Sequence, residues 1–190
     1  MPDPIFGPTP GSRPDLTPAV RVFRNARPCD ANTCGQAAVA TVLAHFGVEP
    51  WSRAELSDGA AIDLVSERFA PDVPFGLGTS GPRVVAALRH FGLDVELVHS
   101  GVVGHRTRRA LRALEDALGR GVPVPVCVDD GLLGGQPWAA HWAVATGIEN
   151  GRITLGNAGT RTLTLDRFVE SWRCRHLPWP HHHCAVVAAG

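Results

Sequence analysis

No apolar run in this chain of 190 residues approaches the ~20 residues that a membrane-spanning helix needs. A charge excess is missing as well. Lys+Arg and Asp+Glu stand at 18 each, so no long-range attraction to nucleic acid or to an anionic membrane surface is expected. The opening residues, MPDPIFGPTPGSRPDLTP, have neither the basic nor the apolar region of an export signal, and their prolines would interrupt a helix of either kind. The expected compartment is the cytoplasm. An even set of cysteines is lacking too: the five, at 29, 34, 127, 174 and 184, sit in a chain too large to depend on disulfides and read as thiols.

What is present describes one globular unit. Hydrophobic residues make up 44% and charged residues 19% of the chain, the balance of an ordinary soluble domain. Residues 1–20, rich in proline, read as an extended arm, and 21–190 as a single domain. Val39, Val42, Leu43 and Phe46 recur at helical spacing between Cys34 and Gly47, which puts Cys34 at a helix N-terminus. Ser52-Arg-Ala-Glu55 has the form of a capping box and predicts a second helix, broken near Gly59 and closed before Pro71. A loop spans 71–80. Thr79 or Ser80 then caps a helix carrying Val84, Val85, Leu88 and Phe91, and Gly92 stops it.

Leu93 to Val98 alternates apolar and acidic residues as a strand does. Thr107 to Leu118 reads as a helix with Leu111, Leu114 and Leu118 inward and Arg106, Arg108, Arg109 and Arg112 outward. From there on the chain reads as strands: 122–128, 141–148, 152–155, 161–165 and 184–188. Asn150-Gly151 marks a tight hairpin between the second and third of them. Helices first and strands afterwards predict an α+β fold, with a helical layer packed on a C-terminal antiparallel sheet.

Cys34 is the candidate nucleophile. A helix N-terminus favours thiolate over thiol and offers N–H groups to an oxyanion, and Gly35 leaves the backbone open to a substrate carbonyl. His141, where a glycine-rich loop enters a strand, is the candidate base. The hairpin returns the chain so that Asn157 comes back beside His141, where it can orient the imidazole. Cys127 and Cys184, in apolar runs, read as inert core thiols.

The segments Cys34-Gly-Gln-Ala-Ala-Val-Ala-Thr-Val-Leu, Gly78-Thr-Ser, Phe91-Gly-Leu-Asp-Val, Gly121-Val-Pro-Val and His141-Trp-Ala-Val-Ala-Thr-Gly, in that order, resemble the bacterial papain-like peptidases that process double-glycine leader peptides. The resemblance runs over residues 20 to 188. It implies a papain-like fold, Cys34 as nucleophile, His141 as general base and acid, Asn157 in the third position where that family usually has Asp and papain-type enzymes have Asn, and a thioester intermediate. It implies a peptide or acyl substrate, leader-like or carrier-bound, and no cofactor. Pro28 stands where the family usually places an oxyanion-stabilising Gln; Asn25 or Asn32 are alternative donors. No transporter domain accompanies the chain, so a transporter-linked role is not expected.

Three readings of function follow: a cysteine peptidase or amidohydrolase first; an acyltransferase, cyclase or thioesterase using the same residues; and a catalytically silent peptide-binding module. Cys174, His176, His181, His182, His183 and Cys184 invite comparison with a zinc site, but consecutive strand residues point to opposite faces. A histidine patch leading into the last strand is expected there, with no metal ligand assigned. A Cys29–Cys34 redox pair is a minor alternative. Trp138 and Trp142 read as cleft-lining or core, and the sequence does not specify an oligomeric state.

Overall fold

The computed structural model describes residues 20–24, 32–73, 78–99, 107–135, 139–157, 161–174 and 183–188. The fold is α+β, as expected. Helices α1 (Cys34–His45), α2 (Asp58–Ser66) and α3 (Gly81–His90) precede strand β1 (Val95–Val98) and helix α4 (Thr107–Gly119). Then come β2 (Val124–Asp129), a 3-10 turn (Gly131–Leu133), β3 (Ala140–Glu149), β4 (Arg152–Gly156), β5 (Arg161–Thr164), α5 (Leu165–Trp172) and β6 (Ala185–Ala188). The six strands form one antiparallel sheet in the order β1-β6-β2-β3-β4-β5.

Strand alternation divides the core. Cys127, Trp142, Val144 and Val186 join α1, α2 and α3 on one face, while Val126, Ala143, Ala145, Leu155 and Val187 join α4 and α5 on the other. The sheet is therefore covered on both sides, not only by the N-terminal helices. Helix α1 lies at the centre of the first cluster. Its residues from Cys34 to Leu43 are all buried, which is why its sequence is rich in Ala and why no exposed face breaks the apolar run. Phe46, placed by spacing on an inward stripe, falls just past the helix end and is 41% exposed.

Local chemistry moves two other boundaries. Ser57, not Ser52, caps α2 by accepting the Ala60 N–H at 3.3 Å. Ser52 instead donates to the Glu49 carboxylate, which also pairs with Arg53 in a turn. Gly59 lies in the first turn of α2 and does not break it. Ser80 rather than Thr79 caps α3, accepting the Arg83 N–H. In α4 the buried stripe is Ala110, Leu114, Ala117 and Leu118, with Leu111 only half-buried and Arg108, Arg109 and Arg112 outside that stripe.

Helix α5 has no counterpart in the sequence pattern described above. Thr164, read there as strand, caps it by accepting the Arg167 N–H, and Phe168 and Trp172 stack beneath the sheet at one turn's spacing.

The β3–β4 hairpin turns at Asn150 and Gly151, whose φ of 49° and 70° suit a type I′ turn. One extra residue in β3, between Ala145 and Gly147, shifts the register, so that Val144 pairs with Gly156. Residues 20–24 pass beside the end of β4. Phe23 is fully buried and its N–H bonds to Thr41 Oγ1 at 3.1 Å. Arg21 donates to the carbonyls of Arg53 and Leu56, and Val22 lies so close to Gly156 that a Cβ there would come within 2.8 Å.

Phe23→Ala removes a fully buried aromatic from this crossing, so it should cost about 3–5 kcal/mol. Urea unfolding followed by circular dichroism should show a lowered midpoint at unchanged slope. A midpoint equal to the parent's would show that the segment does not belong to the folded unit.

Candidate active site

A residue in an antiparallel strand sends its N–H and C=O to the same neighbour. At Trp142 both point to the side that β4 leaves after Gly156, and there they meet two of the predicted residues. The Trp142 N–H lies 3.5 Å from Cys34 Sγ, and Trp142 O accepts from Asn157 Nδ2 at 2.7 Å. The same Asn157 amide donates to Cys34 O at 3.0 Å. Asn157 is buried, with a φ of 88° that Asn tolerates better than most residues. Strand end, Trp142 and the first residue of α1 are thus tied by one side chain.

His141 precedes Trp142 and so stands at this junction, opposite Val128 in β2. Its Nε2 is buried and finds no hydrogen-bond partner among the described residues. The structure therefore brings Cys34 and Asn157 into contact and sets His141 beside them, whereas the Asn157 amide nitrogen goes to two backbone carbonyls and not to the ring.

Electrostatics also departs from expectation. The side chain of Thr33 does not cap α1, and the N–H groups of Gly35 and of Cys34 itself face the sulfur together with that of Trp142. These donors favour thiolate, but burial outweighs them and pushes the Cys34 thiol up to about 11. His141 is held below its ordinary value, chiefly by burial; Asp130 pulls it up and Arg161 pushes it further down. Both shifts favour the uncharged forms, thiol and imidazole. An activated thiolate is not the resting state, because a half charge at a helix end does not offset full desolvation.

Several supports lie outside the sequence reading. Trp142 is core, only 3% exposed, and its indole donates to Thr79 O at 2.7 Å. Thr79 Oγ1 donates to Gln36 Oε1 at 3.1 Å, and Gln36 Nε2 donates to Phe69 O at 2.6 Å. This buried polar chain fixes the 79–80 segment against the start of α1. It also gives Gly35 a packing role: a Cβ there would lie 2.6 Å from that of Thr79, so the glycine permits close approach. The Gly78-Thr-Ser motif is the signal in the sequence that points to these supports.

Pro28, Asn25, Cys29, Trp138, His176, His181 and His182 lie outside the described residues, and Asn32 is half-buried just before the helix. Cys127 and Cys184 are buried as expected, together with Cys174, whose thiol donates to Cys127 O at 3.4 Å. Among the described residues no group of three or more Cys, His, Asp or Glu is arranged to hold a metal, and no helix is long and apolar enough to cross a membrane.

Solved structures share this arrangement of elements. The peptidase domain of Streptococcus ComA, a bifunctional ABC transporter involved in a quorum-sensing pathway, superposes with a TM-score of 0.58 at 18% identity, over 90% of this chain and 98% of that one. A putative C39-like peptidase from Bacillus anthracis gives 0.63 at 9% identity, over 92% and 96%. No protein-family profile and no curated relative matches the sequence. The chain has the papain-like fold of C39 peptidase domains.

The sign of the pH dependence follows from the shifts. The folded thiol of Cys34 holds its proton more tightly than the ordinary 9.0. Cys184, raised by burial, and Cys127, raised by its bond with Cys174 and then by burial, act in the same direction. The unfolded chain ionises first, so stability is full below its thiol range and falls as the pH climbs toward 11. Alkylation of Cys34 by iodoacetamide, mapped by mass spectrometry, should keep accelerating beyond pH 9 without a plateau. A plateau in the neutral range would contradict the buried neutral thiol.

Proposed function

We propose that this protein is a cysteine peptidase-type hydrolase that cleaves a peptide bond through a thioester on Cys34. The carrying observation is the Asn157 amide that joins Cys34 O to Trp142 O, because it sets the thiol at the start of α1 next to the residue that follows the imidazole-bearing His141. His141, neutral at rest, takes the Cys34 proton as the sulfur attacks the carbonyl carbon, and returns it to the leaving amine. The tetrahedral oxyanion collapses to a thioester and the amine leaves. Water, activated by the same imidazole, then releases the carboxylic acid.

With both groups neutral at rest, proton transfer accompanies attack rather than preceding it. Substrate binding must therefore open the cover over Cys34, which is only 6% exposed. A peptide substrate agrees with the fold shared with two peptidase domains. A leader-like peptide, as the sequence resemblance implies, is the first class to offer.

The buried, neutral thiol also favours a second reading, a silent module that binds peptide without cleaving it. Incubation with a peptide panel separates the two. The wild type should release new termini, and Cys34→Ala should lose about 10⁴-fold or more in kcat while keeping its fold. Peptide binding by both proteins with cleavage by neither would establish the silent module. An acyl-enzyme that forms but that water barely releases would replace hydrolysis by transfer to another nucleophile.

A further inference from the structure

Passing the Cys34 proton to His141 makes a cation where burial already disfavours one. In serine enzymes built on this plan a carboxylate behind the imidazole offsets that cost, whereas papain-type thiol enzymes place a neutral Asn there. Asn157 carries no charge, and its amide nitrogen is committed to the carbonyls of Cys34 and Trp142. Any negative charge that offsets the imidazolium comes from another residue.

Asp130 lies on the imidazole's side of the sheet. The register pairs Val128 with His141 and Asp129 with Ala140, and the Asp130 N–H extends the ladder to Ala139 O at 2.9 Å. With side chains alternating, Val128, Asp130, His141 and Ala143 fall on one face, that of α4 and α5, and such diagonal neighbours lie roughly 7–8 Å apart at Cα. Cys34 comes in from α1 level with the Trp142 N–H. The following turn is folded around the carboxylate. Gly135 N–H returns to Asp130 O at 2.9 Å, and a Cβ on Gly135 would overlap the carboxylate itself. Asp130 is half-buried, so its field is less screened than that of a surface acid.

The other charged or titratable groups around this end of β3 have separate engagements. Asp129 turns to the opposite face and accepts the Leu132 N–H at 3.3 Å. Arg161, opposite Leu155 in β5, donates to Leu133 O and opposes protonation of His141. Arg167 of α5 binds Leu132 O and Glu170. Cys34 enters from α1 as a neutral thiol.

Building on the peptidase reading, we propose that Asp130 is a positioning residue that supplies the negative charge for the His141 imidazolium, while Asn157 ties the backbone of helix and strand together. The division leaves Asn157 the task of joining helix and strand. It also assigns a purpose to the glycine-rich turn, which closes on a carboxylate.

The test is a histidine-labelled NMR titration of the whole chain, which requires no substrate. Asp130→Asn should move the His141 titration to lower pH, Arg161→Gln should move it to higher pH, and Asp130→Glu should restore most of the wild-type curve. In peptide cleavage Asp130→Asn should lose about tenfold or more in kcat with KM little changed. A folded Asp130→Asn whose His141 titrates as in the wild type overturns the proposal. If that variant does not fold, the wild-type Asp130 carboxyl carbon carries the test: it should show an inflection at the His141 titration, and its absence overturns the proposal equally. A wild type that cleaves no peptide refutes the peptidase reading instead, and the substrate-free titration keeps the two failures apart.

Discussion

One side-chain amide holds the candidate site together. Asn157 donates to Cys34 O at 3.0 Å and to Trp142 O at 2.7 Å, so the first residue of α1 and Trp142 of β3 cannot drift apart without breaking both bonds and leaving the Trp142 carbonyl without this partner. An unpaired buried acceptor costs about 1–3 kcal/mol, and Cys34 O, which also accepts within the helix, would lose its second bond at the same time. Everything chemically relevant depends on this tie. With it the Trp142 N–H comes within 3.5 Å of the sulfur, one residue on from His141.

The rest of the fold prepares the place where the amide acts. Strand β4 stops at Gly156, and the extra residue in β3 sets the register so that Asn157 emerges level with Trp142. On the helix side, the Trp142–Thr79–Gln36–Phe69 chain pins the start of α1. The same enclosure that makes the geometry definite keeps the thiol neutral. Precise placement and a desolvated thiol are two results of one packing.

Much of this is legible in the residues. Periodicity locates α1, α3 and α4, the Asn-Gly pair locates the hairpin, and the hairpin brings Asn157 close to the level of His141. The departures have identifiable causes. The Ser52 capping pattern loses to Ser57 because Glu49 and Arg53 engage the Ser52 turn, a competition that spacing alone does not show. Helix α5 is hidden because the β-branched Thr162 and Thr164 read as strand and mask Leu165, Phe168, Val169 and Trp172 at helical spacing. The thiol's protonation state is not legible because a helix start can be inferred from a string of residues, whereas the depth of its burial depends on which segments cover it. Asp130 is silent in the sequence for a similar reason: its relation to His141 arises from cross-strand register.

The account's central claim is that the Asn157 tie makes Cys34, among the buried thiols, the one paired with a base. Labelling with a peptidyl acyloxymethyl ketone followed by peptide mapping tests it most directly. The account predicts a single thioether adduct on Cys34, none on Cys127, Cys174 or Cys184, and a rate that falls by about 100-fold in His141→Ala. Adducts spread over several cysteines, or a Cys34 rate indifferent to His141, would contradict it.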